Sequence, residues 1–263
     1  MNEDLKLIFE WLCANRLSLN VSKTEFIIFK PPQKRLNKRI TLKLNRITLF
    51  ESTKIKYLGI IMDDRLTWKH HIYELRKKIN KSVGIMYKMK NLCPLKVLLS
   101  LYYSLVHSHL NYGICVWGNA AEYEIKKIFL VQKKAVRIIS NAEYLAPTDP
   151  LFAKLGILKL DDIFKFQMAN LMWDHQQGNL PQCFSNYFAK VESTHRFPTR
   201  MAKANKLSLN LAVNTKTHGQ TMFKYQGSRL WNYIQDLPFY NLTMKKLTFK
   251  KKYKQYMTRL YNT

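Results

Sequence analysis

Six large side chains, Trp68, Ile72, Leu75, Ile79, Val83 and Met86, follow one another at steps of 4, 3, 4, 4 and 3 residues. An α-helix repeats about every 3.6 residues and a strand every 2, so only a helix lays these side chains in one stripe. Lys77, Lys81 and Lys88 fall on the opposite face. A long helix with one apolar stripe must bury it against a partner. Two further amphipathic segments offer that partner. Pro94 opens the first, an accepted use of proline in a first turn, and Leu98, Leu101, Tyr102, Leu105 and Val106 form its core side. The second runs from about Ala121 to Ser140. Ile125, Ile128, Phe129, Gln132, Val136 and Ile139 share one side of it, and Lys127, Lys134 and Arg137 the other. Three such helices with short connections predict a small bundle.

The flanks differ. Residues 2–15 suit a helix, with Leu5, Ile8, Phe9, Leu12 and Cys13 at helical spacing and Glu3 and Asp4 in the first turn. Asn15 to Asn20 breaks it. Thr24 to Phe29 reads as a buried strand ended by Pro31-Pro32, Ile40 to Leu44 and Ile47 to Phe50 as a hairpin around Asn45-Arg46, and Ile55 to Met62 as one further strand. Beyond Pro147 and Pro150, Asp161 is expected to N-cap a helix over 162–177. Pro181, Pro198 and the stretch 208–219 read as loops, and helices are expected over 221–236 and 243–261. The fold class is therefore α+β, predominantly α.

Charge narrows the function classes. Lys and Arg number 44 against 17 Asp and Glu, a formal net charge of +27 over 263 residues. A packed core must leave most of that surplus outside, where it attracts polyanions such as nucleic acid. The 15 Tyr, 14 Phe and 5 Trp, many set among basic residues, serve either a core or base stacking. Four cysteines without a C-x-x-C pair argue against a zinc ribbon and a disulfide framework. His107 and His109 lack a third ligand nearby and read as helix histidines. The acidic opening, Met1 to Asp4, is unlike a signal peptide, and no apolar run reaches the ~20 residues that cross a bilayer. The expected setting is intracellular, in a nuclear or cytoplasmic ribonucleoprotein. Nucleic acid is the expected partner, not membrane, although a helix carrying Lys245 to Lys254 leaves peripheral membrane binding as a competing reading.

Three motif groups, in order, carry a resemblance. The first is Trp11-Leu12-x-x-Asn15-Arg16-Leu17-Ser18-Leu19-Asn20-x-x-Lys23-Thr24-x-Phe26. The second is Tyr57-Leu58-Gly59-Ile60 followed by Asp64-x-Leu66-x-Trp68-x-x-His71-Ile72. The third runs from Leu101-Tyr102-x-Ser104-Leu105-Val106 through Leu110-x-Tyr112-Gly113, Trp117-Gly118 and Gln132-Lys133-Lys134-Ala135-Val136-Arg137 to Pro150-Leu151-Phe152-x-x-Leu155-x-Ile157-Leu158. Together they resemble the reverse transcriptases of jockey-like and LINE-like non-LTR retrotransposons over nearly the whole chain. The resemblance implies a small palm-remnant sheet over 1–66, a helical thumb over 67–145 and a basic helical C-terminal region over 146–263. It implies that Lys23 sits on the phosphate side of an incoming nucleotide, against the alternative of a solvated lysine. It implies that Tyr57, Leu58 and Gly59 form the primer grip.

Met62-Asp63-Asp64 imitates the aromatic-x-Asp-Asp turn of a polymerase site. Two-metal catalysis needs carboxylates from two separate strands, and the acids upstream of Met62 are only Glu3, Asp4, Glu10, Glu25 and Glu51. The resemblance places the catalytic turn ahead of residue 1, so Asp63-Asp64, like Asp161-Asp162, is expected to be a turn and helix cap. Residues 1–66, deprived of the rest of a sheet, are expected to be the poorly protected part of the chain.

The expected function is the C-terminal portion of a non-LTR reverse transcriptase that binds an RNA/DNA template–primer duplex and lacks the catalytic aspartates. The alternative is a domesticated, non-enzymatic nucleic-acid-binding protein. The duplex-binding candidates are Lys77, Lys81, Lys88, Lys127, Lys134 and Arg137, with Lys250, Lys251, Lys252 and Lys254 as a second patch. No cofactor or metal is expected for these residues alone; Mg2+ is implied for the full-length family enzyme.

Overall fold

The computed structural model describes residues 1–20, 23–30, 40–44, 47–191, 207, 223–241 and 243–261. The predicted loops over 31–32 and 208–219, and Pro198, lie outside them. The chain is α+β and predominantly helical, in two compact units, Met1–Glu74 and Leu75–Thr263.

The first unit opens with α1 (Asn2–Ala14). Arg16, at φ 55°, ends the helix in a left-handed turn in which the amides of Arg16 and Leu17 donate to the carbonyls of Cys13 and Leu12 at 3.0 and 2.9 Å. Among the described residues six short strands follow: β1 (Glu25–Phe26), β2 (Lys43–Leu44), β3 (Ile47–Thr48), β4 (Phe50–Glu51), β5 (Lys54–Tyr57) and β6 (Ile60–Asp63). They form two-stranded pairs: β1 parallel to β4, and β2–β3 and β5–β6 antiparallel. Leu42, Leu44 and Leu49 make a small core against Leu5, Phe9, Leu19 and Phe26. Asn2 ties the helix to it, its Oδ1 accepting the Lys43 amide at 3.0 Å.

The first unit corrects three expectations. Thr24 to Phe29 is paired only at β1. Ile8 faces solvent rather than the core, together with Leu7 and Trp11, because the small leucine core covers only the Leu5–Phe9 side of α1. Ile55 to Met62 is a hairpin rather than one strand: Leu58 (φ 46°) and Gly59 (φ 82°) are both left-handed, and two such residues in succession fold the chain back on itself.

Helix α2 (Lys69–Met89) runs out of this unit into the second. All six residues of its predicted stripe are buried. The second unit continues with α3 (Leu95–Tyr102), which passes through a wider π-turn at Tyr103–His107 into α4 (Ser108–Asn111). Then come α5 (Ile114–Trp117), α6 (Glu122–Ile139), α7 (Asp149–Leu155), α8 (Leu160–Gln176), α9 (Phe223–Gln235) and α10 (Lys246–Arg259). Helix α8 starts earlier than predicted. Lys159 occupies the cap position, and Asp161 and Asp162 lie in the first turn because Leu160 and Ile163 are both drawn into the core.

Aromatic packing joins α8, α9 and α10. Trp173 of α8 stacks on Phe249 of α10 with centroids 4.6 Å apart and meets Trp231 of α9 edge-on at 6.2 Å. Gly227 lets α9 approach α8: a Cβ there would come within 2.9 Å of the Met172 sulfur. Gln132, fully buried on α6, donates through Nε2 to Tyr102 Oη at 2.9 Å and to the Leu158 carbonyl at 2.8 Å. That one amide links α3, α6 and the segment leading into α8.

Candidate nucleic-acid interface

In the first unit the candidate residues cluster on the β5–β6 hairpin and the turn after it. Tyr57 and Leu58 stand at the hairpin tip, 62% and 70% exposed. A non-glycine residue in the left-handed region, as at Leu58, is held there at a cost of about 1–2 kcal/mol, and the β5–β6 pairing on either side imposes it. Lys23 is exposed; its amide donates to the Asn20 carbonyl at 3.1 Å, as does the Thr24 hydroxyl at 3.0 Å.

Asp63 closes the turn between β6 and α2. Its Oδ1 accepts the amides of Arg65 and Thr67 at 3.1 and 3.0 Å. Its Oδ2 accepts the Thr67 amide, the Thr67 hydroxyl and the Trp68 amide, each at 3.0 Å. Leu66 and Trp68 are left-handed in the same turn, at φ 52° and 63°, and the carboxylate satisfies the amides that this backbone turns inward. Burial alone would raise the Asp63 carboxyl, but the bonds from Thr67, Arg65 and Trp68 outweigh it and hold the group below its ordinary value. Asp64 pairs with Lys30 Nζ at 3.9 Å, and its carbonyl accepts the Lys30 amide at 3.1 Å.

These two carboxylates do not fit the Mg2+ centre that the resemblance implies for a full enzyme. Both oxygens of Asp63 are occupied by N–H and O–H donors, and Asp64 faces an ammonium. Among the described residues no three His, Cys, Asp or Glu side chains are grouped to hold a metal ion.

In the second unit the lysines lie on three helices. Lys77, Lys81 and Lys88 are exposed on α2, opposite its buried stripe. On α6, Lys134 is exposed, Lys127 pairs with Glu124 at 2.9 Å and lies over the Tyr123 ring at 5.3 Å, and Arg137 Nε donates to the Ala146 carbonyl at 2.9 Å. Arg137 is thus partly spent on holding the α6–α7 connection. On α10, Phe249, Tyr253 and Met257 are buried, Lys251 and Lys252 face solvent, and Lys250 and Lys254 are half-buried at the margin.

One juxtaposition has no trace in the linear order. Lys254 reaches the Tyr103 ring, with its ammonium 5.8 Å from the centroid. His107 lies 5.3 Å from the same ring, and burial, with the Lys254 charge second, lowers its pKa. The C-terminal lysine patch therefore adjoins the π-turn after α3. Lys246, beside that patch, is engaged with Asp174 of α8 at 2.5 Å, and Lys159 with Asp149 at 2.9 Å. Neither pair was legible in the sequence, because Lys246–Asp174 joins two helices and Lys159–Asp149 joins the cap of α8 to α7.

The four cysteines are free thiols, and burial pushes Cys115 up to about 11, which leaves it protonated. Among the described residues no helix is long and apolar enough to cross a membrane.

No protein-family model matches the chain. No solved structure matches it. Curated relatives do. A probable RNA-directed DNA polymerase from transposon X-element of Drosophila melanogaster is 25% identical over 158 residues, 58% of this chain and 17% of the relative. The RNA-directed DNA polymerase from mobile element jockey of Drosophila funebris is 28% identical over 166 residues, 62% of this chain and 18% of the relative. Its Drosophila melanogaster counterpart is 33% identical over 110 residues, 41% of this chain and 12% of the relative. The chain spans only about a fifth or less of the length of these relatives. Over up to 62% of its own length, it is similar to the RNA-directed DNA polymerases of jockey-like mobile elements.

Proposed function

We propose that this chain is a C-terminal portion of a non-LTR retrotransposon reverse transcriptase and grips an RNA/DNA template–primer duplex through its basic helix faces. The observation that carries the reading is the pairing of similarity to jockey-like polymerases with lysines held on the solvent side of α2, α6 and α10, opposite buried stripes. Such contacts position a duplex on its phosphates without reading its sequence. In this reading Lys77, Lys81, Lys88, Lys134, Lys251 and Lys252 contact phosphates, while Lys127, Arg137 and Lys254 share that role with intramolecular contacts. The carboxylates and Mg2+ of polymerisation come from elsewhere in a longer polymerase, and Tyr57 to Gly59 hold the primer end.

The test is duplex binding by fluorescence anisotropy across a salt series. Replacing Lys251 and Lys252 with Gln is expected to lower the slope of log K against log salt by about 1 for each phosphate that a lysine no longer neutralises. A flat salt response by the unaltered chain would overturn the proposal. So would robust primer extension with Mg2+ by the purified 263-residue chain, which would place the chemistry inside it.

A further inference from the structure

The β5–β6 hairpin and the first turns of α2 enclose a groove of about 490 Å3 within the first unit. It lies beside the paired part of the hairpin, away from the Leu58-Gly59 turn. Lys54 and Lys56 line one wall. Two residues apart on one strand, they leave the same face of the hairpin roughly 6.7 Å apart. His70, Tyr73 and Glu74 line the other wall. Their spacing of three and four residues puts them on one side of α2. Ile61, the cross-strand partner of Lys56 and on the same face, supplies an apolar floor.

Both walls are fixed. The neighbouring residues His71 and Ile72 bury the inner side of α2, and His71 Nδ1 accepts the Ile61 amide at 3.4 Å. The Asp63 turn sets where the helix starts. Tyr73, which lines this groove, is 56% exposed. An open aromatic face beside two ammonium groups and an apolar floor matches the parts of a nucleotide: phosphate, planar base and sugar. The side chains carry two lysine charges against that of Glu74, which leaves a positive balance for the strand backbone.

We infer that this groove receives an unpaired nucleotide of a single-stranded nucleic acid. Lys54, Lys56 and His70 take the backbone phosphates. Tyr73 stacks on the base, a contact that tolerates any sequence. Glu74 accepts a hydrogen bond from a sugar hydroxyl or a base amine. This rests on the nucleic-acid reading above but uses residues separate from the duplex-gripping lysines.

The experiment uses the whole chain, a fluorescein-labelled 12-nucleotide oligo-U and a 20-base-pair RNA/DNA duplex. Tyr73→Ala is expected to weaken oligo-U binding roughly ten-fold. Tyr73→Phe, which keeps the ring, is expected to bind as the unaltered chain does. Lys54→Gln with Lys56→Gln is expected to weaken oligo-U binding as well and to lower its salt slope by about 1.4, since a single strand loses about 0.7 per phosphate left unneutralised. All three variants are expected to hold duplex affinity within about two-fold, because the duplex lysines are untouched. A circular-dichroism melt checks that they remain folded; Tyr73, Lys54 and Lys56 are all exposed.

Unchanged oligo-U binding in both Tyr73→Ala and the double lysine variant would overturn the inference. So would equal loss of oligo-U and duplex binding in a folded Tyr73→Ala chain. Competition by poly-glutamate as effective as by oligo-U would reduce the groove to a plain anion surface and overturn it too. If the duplex fails to bind while oligo-U binding depends on Tyr73, the duplex proposal falls and the groove stands.

Discussion

The Asp63 carboxylate accepts both the backbone amide and the hydroxyl of Thr67, each at 3.0 Å, and so locks the turn from which helix α2 departs. Four residues of sequence separate the two, and the helix that begins beyond them carries the apolar stripe of the chain. The acid that most resembles a catalytic group therefore works as a backbone clamp.

Removing that clamp strands amides of a turn whose Leu66 and Trp68 are left-handed. Asp63→Ala is expected to cost about 2 kcal/mol, as the loss of a cap with several donors does. Chemical denaturation of the two chains at neutral pH checks it. The carboxyl is held below its ordinary value by these bonds. Its stabilisation is accordingly present above the unfolded carboxylate pKa of about 3.9 and fades as the pH falls through the lower folded value. Thermal melts from pH 7 to pH 3 should show the unaltered chain losing its advantage over Asp63→Ala at the acid end.

Leu58 occupies a left-handed position that leucine adopts at a cost, next to Gly59. Asn-Gly is the pairing that such a two-residue turn favours. Leu58→Asn is expected to raise stability by about 0.5–1 kcal/mol, read as a higher denaturation midpoint. A fall would mean that the 70% exposed leucine is covered by a contact in solution.

Gln132 and Tyr102 form a buried pair 2.9 Å apart, and Gln132 also holds the Leu158 carbonyl. Gln132→Leu leaves the carbonyl and the phenol without that amide and is expected to cost about 2–3 kcal/mol. Tyr102→Phe alone is expected to cost about 1 kcal/mol, and the double variant less than the sum. A double-mutant cycle by denaturant unfolding measures the coupling. Additive losses would show that the two side chains act separately.

Among the described residues of 1–66, Leu42, Leu44 and Leu49 form the buried apolar core, α1 buries no residue and Phe50 is 74% exposed, whereas α6 buries nine residues. Amides over residues 1–66 are expected to exchange hydrogen by local opening well before those of α6. Mass-spectrometric hydrogen exchange resolves the two regions. Equal protection would contradict the expectation that the short paired strands form the weaker part.

Periodicity and composition together settled a good deal. The α2 stripe, the α6 faces and the closing helices α9 and α10 follow from repeated burial every three or four residues, which any helix of that sequence must satisfy. The net charge of +27 made phosphate-rich partners the expectation. The motif order pointed to jockey-like polymerases, and sequence comparison finds the same relatives.

Other features depended on the folded chain. Single-sequence patterns cannot say that Ile55 to Met62 turns back on itself, because Leu58 hides a left-handed conformation that its residue type does not advertise. Nor can they place Lys254 against Tyr103, Lys246 against Asp174, or Tyr73 across from Lys54 and Lys56. Those relationships join residues on different elements, and their energies exist only once the backbone has brought them together. Asp63 shows the division most plainly. Its neighbours in sequence raised two roles, metal ligand and cap, and the direction of the amides in its turn decided between them.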